Sequence, residues 1–411
     1  MVSMPRVAIV LPSATYRSED FVQAALGLDL DLTIVSEGAQ LLLDGDDFLK
    51  IDCAQPNEAA KQIARLHSRS PLSAVLAADD QGVVIAALAA QKIGLAHNPP
   101  ESVAATKNKV MLRRALRGSV RQPVYQVLPR GFDAGEVAGD VGYPVVIKPL
   151  SLSGSRGVIR ANTAEEARSA ARRLRRILVR AHANPNDPIL IERYVPGIEV
   201  ALEGVLSDGN LTVLAVMDKP DPLIGPFFEE TIYLAPSQLH PEMLDEIASV
   251  VETATRTLGL RVGPIHAELR LDGSAVVLIE LAARPIGGLC GRALRFGLLG
   301  SSLETVLLRA ALGRTTLGLL RQDPGVGVMM IPIPQRGTLR SISGRTEALE
   351  VSWITSVDLS IPLGSFVEPL PEGDRYLGFI FAAAPTPGEA ETALRAAHSL
   401  LTIEIEPDSN A

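Results

Sequence analysis

The chain has 411 residues, 47% of them hydrophobic and 21% charged, enough apolar material for two or three packed cores and far too much for a disordered chain. A formal net charge of -8 leaves no basic excess to neutralise nucleic-acid phosphates or an anionic membrane surface, so neither is an expected partner. Small-molecule chemistry remains.

Two cysteines, Cys53 and Cys290, cannot build a disulfide framework, and no paired Cys or His spacing suggests zinc. A reducing, cytoplasmic location is expected. The apolar run near the start, Val7 to Leu11, turns polar at once and reads as a first β-strand, being too short for a signal-peptide core. The longest apolar run, residues 83–90, falls well short of the ~18 residues of a membrane span.

Through residue 98, short β-rich runs (7–11, 32–35 and 74–76) alternate with helical stretches such as 81–92, the pattern of a small parallel α/β unit. Asn98-Pro99-Pro100 breaks the chain, and a Lys/Arg-rich helix is predicted over 106–116. Thr163-Ala164-Glu165-Glu166 is a capping box that opens a helix carrying Arg168, Arg172, Arg176 and Arg180 on one face. That stripe reads as a solvated face, with phosphate binding as the alternative. Residues 184–188 look like a linker between two lobes, and Asp323-Pro324-Gly325 is the last strong punctuation. Strands at 326–331 and 376–382 and a helix over 387–401 then close the chain. The expected units are 1–98 (α/β), 99–185 (first lobe), 186–322 (second lobe) and 323–411 (a small α+β cap).

The most informative stretch is Tyr143-Pro144-Val145-Val146-Ile147-Lys148-Pro149-Leu150-Ser151-Leu152-Ser153-Gly154-Ser155-Arg156-Gly157. A buried strand delivers Lys148 at its end, and the Ser/Gly loop after it, with Ser153, Gly154 and Ser155, offers backbone N–H groups to polyphosphate oxygens. Most such loops are ordinary turns, and the preceding lysine is what points to phosphate. Neither G-x-x-x-x-G-K-[ST] nor G-x-G-x-x-G occurs, which argues for another nucleotide fold. In Ile189-Leu190-Ile191-Glu192-Arg193-Tyr194-Val195-Pro196-Gly197-Ile198-Glu199, a strand ending in a Pro-Gly turn leaves the Arg193 and Val195 backbone free for an adenine edge. Glu192 and Glu199 would flank the nucleoside; the bland alternative is two surface glutamates beside a turn.

Taken in order, Lys109, K-P-L-S-L-S-G-S-R-G, I-E-R-Y-V-P-G-I-E, Glu268 and Glu280 resemble an ATP-grasp enzyme over roughly residues 100 to 315. The resemblance implies two α+β lobes gripping ATP, preceded by a parallel α/β domain and followed by a small α+β domain. It makes Lys109 and Lys148 phosphate ligands, Glu192 and the following backbone the adenine hinge, and Glu199 the ribose ligand. Lys107 competes with Lys109, but the context Asn108-Lys109-x-Met111 favours the latter.

Residues 265–280 read as a β-hairpin with His266, Glu268 and Arg270 on one face. A three-residue loop over 272–274 brings Glu280 onto that face, whereas a two-residue Asp-Gly turn separates the glutamates, so function predicts the odd loop. Glu268 and Glu280 are then expected ligands for Mg2+, with Mn2+ as an alternative; the other reading is a charged hairpin face. The line Glu280-Leu281-Ala282-Ala283-Arg284-Pro285-Ile286-Gly287-Gly288 is similar to the corresponding place in L-amino-acid ligases. There Arg284 is the electrophilic group for an oxyanion, and the Gly287 and Gly288 amides add donors. Where many ATP-grasp enzymes have a metal-binding asparagine, this chain has Ala282, which cannot ligate. His266 stands between contact with the transferred phosphoryl group or substrate and a structural role. Cys290 reads as a small buried thiol. By resemblance to dipeptide ligases, Glu230 binds an amino group, and Tyr233 stands where those enzymes have histidine.

The expected activity is therefore ATP-dependent carboxylate–amine ligation through an acyl phosphate, with small-molecule carboxylate and amine substrates and a homodimer left open. Carboxylation or nucleotide-precursor ligation on the same fold, and ATP binding without turnover, are the rival readings.

Overall fold

A computed structural model describes residues 4–11, 18–38, 47–314, 321 and 324–408. The first unit is a parallel sheet in the order β3-β2-β1-β4, built from β1 (Arg6–Val10), β2 (Asp31–Ser36), β3 (Phe48–Lys50) and β4 (Leu72–Ala77). The near-continuous apolar sequence of β1 is the signature of a strand covered on both faces. One cover is the helix Pro56–Arg69, started by proline at its first turn, which buries Ala59, Ala60, Ile63 and Leu66 at helical spacing. Each larger apolar side chain so buried contributes roughly 1.5–3 kcal/mol. At the carboxyl end of β4 the backbone of Gly82 presses on β1, where an added Cβ would lie 2.9 Å from Val10 Cγ1.

The helix expected over 106–116 is two helices, Pro100–Lys107 and Lys109–Ala115. Asn108 adopts extended backbone between them, and its side-chain oxygen accepts from Val110 N and Met111 N at 3.1 Å each. An asparagine at that point satisfies orphan N–H groups of a new helix more readily than it continues an old one. The break puts Lys109 at the start of the second helix, with its Nζ 3.1 Å from Leu152 O of the Ser/Gly loop.

The first lobe is an antiparallel sheet ordered β5-β8-β6-β7, from β5 (Tyr125–Leu128), β6 (Val145–Lys148), β7 (Ile159–Ala161) and β8 (Ile189–Arg193). Since β8 pairs with β5 and β6, the change of sheet falls after Arg193 and not at 185/186. Residues 184–187 make a turn inside the lobe rather than a linker between lobes. Gly197, at φ +94, carries the crossing: a Cβ there would sit 1.8 Å from Leu271 O, which excludes any other residue.

Beyond Gly197 come β9 (Ile198–Ser207), β10 (Asn210–Asp218), β11 (Ile232–Ala235), β12 (Gly263–Asp272), β13 (Ala275–Ala282), β14 (Gly325–Ile331), β15 (Gly337–Ser343), β16 (Ile354–Leu359), β17 (Phe366–Val367), β18 (Gly378–Ala384) and β19 (Thr402–Pro407). Eight of them form one sheet, β13-β12-β9-β10-β11-β14-β18-β16, while β17-β15-β19 form a small one. The second lobe and the C-terminal segment therefore share a ladder through the β11–β14 pair, so the expected boundary at 322/323 divides a continuous sheet; residues 322 and 323 themselves lie outside the described residues.

The arginine-bearing helix Ala164–Arg180 is capped by Thr163, whose side chain accepts from Glu166 N. Arg172 and Arg176 are exposed as expected of a solvated face, but Arg180 reaches Glu368 at 3.1 Å. Arg173, beside the stripe, makes a two-pronged pair with Glu372 at 2.7 and 2.8 Å. Arg156 of the Ser/Gly loop meets Asp374 at 3.1 Å, and Gly157 N donates to Pro371 O at 2.9 Å. The first lobe is thus clasped by the segment 368–374, through Arg180 of the stripe and Arg173 and Arg156 outside it.

Candidate active site

Between the two lobes, the carboxyl end of β4 and the C-terminal segment lies a cleft of about 330 Å3. The residues expected to bind nucleotide, metal or substrate or to act in catalysis all line it, from Lys109, Lys148 and the 153–155 loop through Glu192, Arg193, Val195 and Glu199 to Glu230, Tyr233, His266, Glu268, Glu280, Arg284, Gly287 and Gly288.

At the nucleotide end, Lys148 ends β6 with its Nζ 2.8 Å from Glu192 Oε2, and the other Glu192 oxygen accepts from Arg113 Nε at 2.6 Å. Burial opposes the Glu192 charge, yet Arg113 and Lys148 overcome it and hold the carboxyl down at about 2. Its carboxylate is thereby spent on positioning Lys148, a correction to the expectation that it faces a nucleoside. The Arg193 N–H, expected to be free, donates to Val124 O at 2.8 Å, and Val195 O accepts from Arg270 at 2.8 Å. The Val195 N–H has no recorded protein partner among the described residues, and so is the donor left for an adenine edge. Glu199 accepts from Lys219 and from Arg270, each at 2.7 Å.

The hairpin reaches its end by a route the sequence reading did not foresee. Asp272 pairs with Ala275, so the loop is the two residues Gly273 and Ser274, an even loop that by itself would put Glu268 and Glu280 on opposite faces. A β-bulge at Ile279 resets the register, and Glu268 then stands directly across from Glu280. The carbonyl of the bulged Ile279 is taken by Arg113 Nη2 at 2.6 Å, so the arginine that holds Glu192 also holds the bulge.

Both glutamates line the cleft, but each also has other neighbours. Glu280 turns to Lys109, 3.4 Å away, while the carboxylate oxygens of Glu199, Glu230 and Glu268 lie within 4.8 Å of one another. The acidic trio lies beside the Glu268–Glu280 pair and shares Glu268 with it. At its centre is Lys219, a residue the sequence reading passed over. Its Nζ is 2.7 Å from Glu199, 2.5 Å from Glu230 and 3.1 Å from Glu268, and 5.1 Å from the Tyr233 ring centre. Burial disfavours the ammonium, but the three carboxylates outweigh it and keep Lys219 well above the usual lysine range. Glu230 itself is raised to about 7, by burial first, and accepts from the Tyr233 hydroxyl at 2.8 Å.

His266 is buried, with Nδ1 against Glu203 and Nε2 3.7 Å from Glu268. Glu203 was also missed; alternation along β9 puts it on the same face as Glu199, which is the signal that would have found it. Burial opposes the imidazolium, but Glu203 prevails and lifts His266 from 6.5 to about 9. A group raised in this way adds stability that is whole below pH 6.5 and is lost as pH climbs through 9. Wild-type protein should accordingly lose on the order of 3 kcal/mol between pH 6.5 and 9.5 beyond what a His266→Gln variant loses over the same range. Urea melts across that range test it, and parallel curves for the two proteins would remove the charged pair.

The remaining Glu203 oxygen accepts from Ile286 N at 3.0 Å and so ties down the loop that carries Gly287 and Gly288. Neither glycine N–H has a recorded protein acceptor among the described residues. Arg284 opens that loop, its Nε 2.8 Å from Asp80 Oδ2 and its Nη1 donating to Pro285 O at 2.9 Å. Ala282, at the place of the missing asparagine, is buried opposite His266.

Residues 141–293 match the family model of the ATP-grasp domain, and residues 329–406 match L-amino acid ligase C-terminal domain 2. Among solved structures, L-amino acid ligase from Bacillus licheniformis superposes with a TM-score of 0.80 at 24% identity, covering 99% of this chain and 100% of that one. Alanine–anticapsin ligase of Bacillus subtilis is 25% identical over 248 residues, which are 56% of this chain and 52% of its own. Dapdiamide A synthase of Enterobacter agglomerans is 28% identical over 197 residues, 46% of this chain and 45% of its own. The chain thus aligns with about half the length of these two curated relatives. No helix among the described residues is long and apolar enough to cross a membrane.

Proposed function

This chain belongs to the ATP-grasp ligases, and from that premise we propose that it activates a carboxylate with ATP and joins it to an amine, on amino-acid-like substrates. One observation carries the reading: the lysines Lys109 and Lys148, the Glu199–Glu230–Glu268 trio and the Arg284 guanidinium all open onto a single cleft. A site that only bound ATP would have no use for a guanidinium and two unpartnered glycine amides beyond the polyphosphate end.

In the mechanism, Lys109 and Lys148 neutralise polyphosphate oxygens while the substrate carboxylate attacks the γ-phosphorus and ADP departs. The acyl phosphate so formed is attacked at its carbonyl carbon by the amine; Arg284 and the Gly287 and Gly288 amides stabilise the oxyanion, and phosphate leaves. Glu230, raised to about 7, is suited to hold an ammonium group or to take its proton, with Tyr233 orienting it. The clasp on the first lobe helps to keep water from the acyl phosphate. Lys219 already fills the centre of the Glu199–Glu230–Glu268 trio, so Glu268 and Glu280, which face each other across the ladder and both line the cleft, would hold Mg2+ or Mn2+, which would supply charge neutralisation for the triphosphate. ATP as a substrate and two cysteines outside any disulfide agree with a cytoplasmic location.

The test is ADP release with ATP, Mg2+ and pairs of amino acids, with mass spectrometry of the products. ADP formed in step with an amide is the expected result; ADP release indifferent to the amine would overturn the ligase reading.

A further inference from the structure

We propose that Asp80, supplied by the N-terminal α/β unit, is a positioning residue that presents the Arg284 guanidinium to the reaction centre. The two residues lie more than two hundred positions apart in the chain, yet Asp80 Oδ2 is 2.8 Å from Arg284 Nε, and both side chains line the cleft. Asp80 sits in the turn after β4, the carboxyl end of a parallel sheet, where side chains naturally project into a crevice.

That turn is rigid for reasons written in its residues. Ala78 N donates to Val10 O at 3.2 Å, Gly82 N to Asp79 O at 3.1 Å, and Gln81 N to the Asp79 side chain at 2.9 Å. Gly82 is pressed against Val10 so closely that a side chain would not fit. Asp79 is consumed in holding the turn, which leaves Asp80 as the carboxylate that reaches across.

What Asp80 grips also matters. An arginine offers five donors in a planar fork, and Asp80 on Nε with Pro285 O on Nη1 fixes the plane while leaving Nη2 without a protein partner among the described residues. Arg284 is only 12% exposed at its side chain, so the fork cannot simply turn to water. Glu280 and Asp79 also attract it, and without Asp80 the guanidinium would be drawn toward Glu280 on the adjoining strand. A misplacement on that scale typically costs turnover roughly 10- to 100-fold.

The inference rests on the ligase reading of Arg284, and its test separates the two. Turnover and the KM for ATP are measured in wild type, Asp80→Asn, Arg284→Lys and the double variant, with amine-dependent ADP release in wild type settling the ligase reading first. Asp80→Asn should lower kcat roughly 10- to 100-fold with the KM for ATP within about twofold, and Asp80→Glu should recover part of the loss. In the Arg284→Lys background Asp80→Asn should slow the enzyme no further. An equal slowing in both backgrounds, or an unchanged kcat with only a lower melting temperature, would overturn the proposal. A readout independent of turnover is the Arg284 Nε–Hε resonance: slowly exchanging in wild type and lost in Asp80→Asn if the contact holds, unchanged between the two if it does not.

Discussion

Arg284→Lys should lower amine-dependent ADP release about 100- to 1000-fold while leaving ATP affinity nearly untouched. Lysine keeps the positive charge but brings one nitrogen where arginine has three. In the wild-type site Nε is engaged with Asp80 and Nη1 with Pro285 O, and further donors remain for an oxyanion. A lysine that reaches Asp80 has left the reaction centre, and one that stays at the centre has left Asp80. Nucleotide titration beside the kinetic assay separates the outcomes. If ATP binding collapses together with folding, Arg284 is a structural ion-pair residue. If turnover survives, the oxyanion role passes to the Gly287 and Gly288 amides.

Lys219→Met should be the most damaging single change to both stability and turnover. It removes the ammonium from three carboxylates that approach it at 2.5–3.1 Å, and Lys219 is 3% exposed, so water cannot take its place cheaply. Breaking a buried ion pair from one side costs about 3–5 kcal/mol, and turnover should fall at least 100-fold because the cluster's geometry goes with it. The orphaned carboxylates would bind protons more tightly, so the variant should lose stability as pH rises through their elevated range. Mg2+ should raise its melting temperature more than that of wild type, since a divalent ion can occupy the position the ammonium vacates. A variant that melts like wild type without Mg2+ would show that the lysine does not neutralise the trio.

The sequence was most readable where chemistry is local. Lys148 with its Ser/Gly loop, Glu199 after a Pro-Gly turn, and Arg284 four residues past Glu280 are short-range patterns, and all of them line the one cleft. What it concealed depends on pairing between distant strands. Asp80, Glu203 and Lys219 look like ordinary charges until the fold brings them to Arg284, His266 and Glu199, and the bulge at Ile279 has no mark in a run of aliphatic residues. The expected odd loop was a correct demand on the site met by a different device. The boundaries at 185/186 and 322/323 misplaced the units for a related reason: which sheet β8 and β14 join is decided by partners far away in sequence. Asn108 is the exception, a local cap signal that was present and passed over.

The unbroken ladder from β13 to β16 decides which part of this molecule can open. One sheet of eight hydrogen-bonded strands runs through the second lobe and the C-terminal segment, so the cap is expected to stay with the second lobe when nucleotide enters. Opening is expected of the four strands β5 to β8, about the crossing at Gly197, and it requires breaking the pairs to Glu368, Glu372 and Asp374. Bound nucleotide should then slow amide exchange in those four strands and leave the β9–β14 ladder as it was; equal protection gained along β14 and β18 would mean that the cap moves after all.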